Sequence, residues 1–74
     1  MKRGPHAKRR PSLLRDGPEA VARWHEQERR EVAAMVRRGL SDAEGARTLH
    51  MEHERFRQLR EALGLPANAP GGAL

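Results

Sequence analysis

The chain contains no cysteine and no tyrosine, one tryptophan and one phenylalanine. Without cysteine there is no disulfide staple, no thiolate nucleophile and no cysteine-based zinc site. Two large aromatics in 74 residues exclude a big enzyme pocket and a large β-sandwich. Isoleucine is missing, and the β-branched residues are only Val21, Val32, Val36 and Thr48. No segment alternates apolar with polar residues, so nothing reads as a strand. No uncharged stretch approaches the ~18 apolar residues of a membrane span. The basic N-terminus has no apolar segment after it, unlike a secretory signal. A cytoplasmic protein with no membrane partner is expected.

The hydrophobic share is 36%, but 11 of those residues are alanine. A chain of this size buries only about 60% of its unfolded surface. Its core should supply about 3–5 kcal/mol of net stability.

Charge is the informative property. The net charge is +5, and it is unevenly placed. Residues 1–15 carry Lys2, Arg3, Lys8, Arg9, Arg10 and Arg15 and no acid. From Asp16 to Arg38 five acids meet five bases, and from Gly39 onward five acids meet four bases. The basic character therefore belongs to an arm, and an uncompensated run of cations favours nucleic acid or an acidic surface as partner.

Three regions follow. Residues 1–15, with Gly4, Pro5 and Pro11, read as a disordered arm. Residues 16–65 read as a three-helix, all-α domain. Residues 66–74, rich in Pro, Ala and Gly, read as a flexible tail. The first helix is expected to start at Asp16 as N-cap with Pro18 in its first turn, and to end near Arg38 before Gly39. Its apolar positions Val21, Trp24, Val32, Met35 and Val36 are interrupted by a polar gap from His25 to Glu31. That gap reads as a helix break or a stretch bridging solvent, and Glu26, Glu28 and Glu31 among Arg23, Arg29 and Arg30 read as a solvated face. Ser41 and Glu44 form a capping-box pattern that starts the second helix. The third begins at Glu52 or His53, carries Phe56, Leu59 and Leu63, and stops at Gly64 and Pro66.

The spacing of Val32, Val36, Leu40, Ala46, Leu49, Met51, Phe56 and Leu59 carries a resemblance. Ala46 is the small residue where a second helix crosses close. Leu49, Met51, Phe56 and Leu59 fall at the apolar positions that follow it. The stretch from about 28 to 65 resembles the helix-turn-helix of small bacterial regulators and sigma-factor C-terminal regions. It is most similar to the C-terminal DNA-binding domains of resolvase- and invertase-type serine recombinases, without their catalytic domain. In that family a basic arm precedes a three-helix body and enters the minor groove. Departures are Gly45 where a large aliphatic is usual, His50 in the turn where glycine is usual, and Glu52-His53-Glu54 opening the recognition helix.

The resemblance implies double-stranded DNA as partner, a transcription regulator or a mobile-element or phage accessory factor, and a nucleoid location. Lys2, Arg3, Lys8, Arg9 and Arg10 would act from the arm, with Arg47, His53, Arg57, Gln58 and Arg60 near the groove and backbone. Such binders commonly pair as homodimers. The competing reading is a protein-interaction module for RNA polymerase or a host target, with Trp24, Glu52 and Glu54 on its surface and the arm on RNA or an acidic face. His50 and His53 with Glu54 have a metal-pair spacing, but they read as exposed turn histidines, and no metal or cofactor is expected. No catalytic dyad, phosphate-binding glycine loop or nucleophile is apparent, so no enzyme is read.

Overall fold

In the computed structural model, which describes residues 10–71, three helices pack around one core: α1 (Leu13–Arg37), α2 (Asp42–Leu49) and α3 (His53–Ala62). No strand occurs among the described residues. None of the helices there is long and apolar enough to cross a membrane.

The start of α1 differs from expectation. The cap is Ser12, whose Oγ accepts from the Arg15 N–H at 3.2 Å. Asp16 reaches back to accept from the Ser12 N–H at 2.9 Å. One helical turn therefore precedes the expected start, and residues 13–15 belong to that turn. Gly17 then breaks the helical path at φ 89°, ψ 165°, a conformation that glycine adopts without a Cβ penalty. Pro18 follows the break, where its missing N–H takes nothing from the helical ladder.

All three helices end alike. The N–H groups of Leu40, Met51 and Leu65 reach back to the carbonyls of Met35, Ala46 and Arg60 at 3.1, 2.9 and 3.1 Å. Each follows a left-handed residue, Gly39, His50 and Gly64. These are Schellman endings, in which the residue after the left-handed one turns back onto the helix. Leu40, Met51 and Leu65 all pack against the core.

That core is Val32, Met35, Val36, Ala46 and Phe56. Phe56 is fully buried. Gly45 is the reason it fits: a Cβ there would lie 2.4 Å from the Phe56 ring. The expected loss of a core side chain at Gly45 is thus made good by the aromatic ring from α3.

The polar gap in α1 is not a break, since the helix runs through it. Arg23, Glu26, Arg29 and Arg30 are exposed, with Arg30 donating to Glu26 at 2.9 Å, as a solvated face implies, but Glu28 departs from it. Glu28 is buried and accepts from the Arg55 guanidinium of α3 at 2.8 Å, with His25 Nδ1 at 3.2 Å. Two residues of the tail, Asn68 and Gly71, bond to the helical body. Asn68 Nδ2 donates to the Val36 and Leu40 carbonyls at 2.9 and 3.0 Å. The Gly71 N–H donates to Glu44 at 3.1 Å. Residues 72–74 lie outside the described part.

Candidate nucleic-acid interface

The capping box at the start of α2 is formed as its sequence pattern implies. Ser41 Oγ accepts from the Glu44 N–H at 3.2 Å, and Glu44 Oε1 accepts from the Ser41 N–H at 2.9 Å. These bonds, the Ser41 N–H first and the Gly71 N–H next, hold the Glu44 carboxyl below its ordinary value. From this fixed start α2 runs eight residues, and the His50-Met51-Glu52 connection leads directly into α3. His50 takes the left-handed conformation at φ 57° and is the sole non-glycine to do so among the described residues.

α3 has two faces. Phe56, Leu59 and Arg60 turn inward. His53, Glu54, Gln58 and Glu61 are exposed, with Arg57 partly so. Arg57 is the centre of that outer face. Its Nη1 donates to Glu61 at 2.9 Å and its Nε to Glu54 at 3.2 Å, and Nη2 makes a second contact with Glu54. Gln58 Nε2 donates to the same Glu54 carboxylate at 3.4 Å. The Arg57 hydrogen bonds hold the Glu54 carboxyl below its usual range, and the two carboxylates push Arg57 further up. The arrangement presents a guanidinium, two carboxylates, an amide and an imidazole on one exposed helix surface. Its formal charge is that of one arginine against two glutamates, and Glu52, exposed at the N-cap of α3, adds a third.

The other expected site residues separate. Arg47 is exposed on α2 and Arg10 is exposed ahead of α1. Lys2, Arg3, Lys8 and Arg9 lie outside the described residues. Arg60 does not face outward. It is 8% exposed and bonds Asp42 twice, Nε to Oδ1 at 2.7 Å and Nη2 to Oδ2 at 3.0 Å. Its Nη1 also donates to the Leu65 carbonyl at 2.9 Å. These contacts, Asp42's above all, raise its pKa. Arg60 is therefore a strut between α3 and α2. Helical phase could have found it, since it lies four residues after Phe56 on the same face. The same reasoning would have found Glu28, four residues before Val32.

His50 and His53 are both exposed, and no group of three potential ligands gathers around a metal position among the described residues. Trp24 is half-buried and lines a cleft between α1 and the α2–α3 connection. Against known proteins, no family model matches this chain, and neither a curated protein nor a solved structure does. What is defined is a small three-helix, all-α protein with an α2–α3 pair presenting one polar helix face.

Proposed function

We propose that this chain is a small DNA-binding protein, a transcription regulator or mobile-element accessory factor, that uses α2 and α3 as a helix-turn-helix and its basic N-terminus as a phosphate-binding arm. One observation carries the reading. α2 and α3 meet through a three-residue connection with a left-handed first residue, and Phe56 packs on Gly45. That close crossing leaves His53, Arg57 and Gln58 together on the outer face of α3. Arginine pairs with guanine, glutamine with adenine, and a carboxylate such as Glu54 accepts from cytosine N4 in the major groove. Arg57, held by Glu54 and Glu61, exchanges carboxylate partners for a base edge on binding.

The sequence-independent attraction comes from the arm, because the outer face of α3 is acid-rich. The test is a titration of the full chain against duplex DNA. Arg57→Ala and Gln58→Ala should each relax discrimination by about 1–3 kcal/mol per lost base contact while leaving non-specific binding in place.

A second reading is supported by the same acid-rich surface. Glu52, Glu54 and Glu61, with the Trp24 cleft nearby, suit a protein partner such as RNA polymerase, the arm then lying on RNA or an acidic surface. DNA binding that ignores Arg57→Ala and Gln58→Ala would favour it.

A further inference from the structure

From Pro18 to Arg37 α1 is an unbroken helix, and the side it buries carries Glu28, Val32, Met35 and Val36. The opposite side is a stripe of Glu19, Arg23, Glu26, Arg30, Ala33 and Arg37. The steps along this stripe alternate between four and three residues. Two helices that meet along one seam use that spacing. At about 1.5 Å per residue the stripe is about 27 Å long. Its charged members are all exposed, and Ala33 is half-buried.

The charges run acid, base, acid, base, neutral, base. Reversing the stripe about position 28 and laying it on the original sets Glu19 against Arg37, Glu26 against Arg30 and Arg23 against Ala33. Every charge that meets another charge meets the opposite sign. In an antiparallel twofold pair each match occurs twice. The Glu19 and Arg37 side chains make no hydrogen bond or ion pair among the described residues. Glu26 already accepts from Arg30 of its own chain at 2.9 Å. Two such pairs set across the axis close a ring of four alternating charges, so neither gives up the bond it has.

We propose that the outer side of α1 is the contact for a second copy of this chain, packed antiparallel with the twofold axis beside position 28. The occupant follows from charge complementarity, because a self-matching stripe fits itself. Duplex DNA laid there would meet Glu19 and Glu26 with its own sign, and a basic partner would meet three arginines. The seam holds one alanine and no larger apolar residue, so the dimer is weak and depends on salt. α3 packs on the inner side of α1, through Phe56 and the Arg55–Glu28 bond, so its exposed face stays open in the pair. The pairing stands whether or not that face reads DNA.

The experiment is sedimentation equilibrium of the full chain at rising concentration in 0.01 M and 1 M salt, where Debye lengths are about 30 and 3 Å. A dimer should form with concentration at low salt and dissociate at high salt. A chain that stays monomeric at low salt at every concentration its solubility allows overturns the proposal, and this comparison needs no variant. Glu19→Arg and Arg37→Glu each set like charges against one another at both outer contacts. Either change alone should weaken the dimer about fivefold or more. Mixed in equal amounts, the two variants face opposite charges again, and a dimer holding one of each should form. If circular dichroism shows that either variant has lost helix, Glu26→Arg and Arg30→Glu repeat the test at the inner contacts. Single variants that dimerise like the parent overturn the proposal and assign the association to another surface. A mixture that associates no better than its parts overturns the antiparallel register.

Discussion

Gly45 is where helix propensity and packing give opposite advice. Alanine is favoured over glycine inside a helix by about 1 kcal/mol. A Cβ at this position would nonetheless sit 2.4 Å from the Phe56 ring, and overpacking a filled core costs about 1–3 kcal/mol. Gly45→Ala should therefore lower the melting temperature. A rise would mean the ring moves aside freely and the α2–α3 crossing is looser than described. Phe56→Ala removes the other half of the contact and should cost about 3–5 kcal/mol, as much as the whole domain has to lose. His50 poses the reverse case. A non-glycine residue in the left-handed region carries a penalty of about 1–2 kcal/mol, and His50 is held there by the Schellman ending of α2. His50→Gly should raise the melting temperature, by about 4–8 °C per kcal/mol gained in a domain this small. A drop would show that the imidazole makes a contact worth more than the strain.

The elements themselves were largely legible, and the reasons are local. Ser41 and Glu44 announce the start of α2 by a reciprocal bond that needs only four consecutive residues. Gly39 and Gly64 announce two helix ends by their positive φ. The Ser12 turn was not legible, because it depends on Asp16 serving the turn before Gly17 instead of capping the helix after it. Nor was the tail, since Asn68 acquires its role only when residues more than twenty-five positions earlier end a helix beside it. Of the candidate site, His53 and Gln58 are exposed on α3 and Arg57 partly so. Arg60 is not, because its partner Asp42 is on another helix, and charge alone cannot distinguish a groove contact from an inter-helix strut. Arg60→Ala separates the two roles. Asp42 would lose two charged hydrogen bonds, so stability should fall by about 1–3 kcal/mol in thermal melts without DNA. An unchanged melt would return Arg60 to the surface.

The capping box also gives the domain an acid limit. The Glu44 carboxyl titrates lower folded than unfolded because the Ser41 and Gly71 N–H groups favour its ionised form. A depressed carboxyl contributes stability above the unfolded value, near 4.3, and loses it as pH falls through the folded one. Melting temperature should therefore fall below about pH 4.3, and Glu44→Gln should flatten that part of the profile. An identical acid slope in the variant would remove Glu44 as a contributor.

At the scale of the whole molecule the decisive quantity is where the charge sits. The six arm cations have no acid among them, whereas the chain from Asp16 onward is net −1. A body of that charge, with Glu52, Glu54 and Glu61 exposed on or beside α3, gives phosphate little to bind. On the proposed DNA-binding function, non-specific affinity comes from the arm and specificity from the few side chains around Arg57. If all six cations of residues 1–15 reach phosphates, Arg15 giving up its pair with Asp16, log affinity against log salt should slope at roughly −5, from about −0.9 per contact. Replacing Lys2, Arg3, Lys8, Arg9 and Arg10 with alanine leaves Arg15 alone, and the slope should flatten to about −1. Discrimination between duplexes should survive at low salt, because the α3 face is untouched by those changes. Loss of all binding with the arm, together with indifference to Arg57→Ala, would show that α3 reads no bases. The Trp24 cleft and the acidic outer face of α3 would then be the surfaces to set against a protein partner.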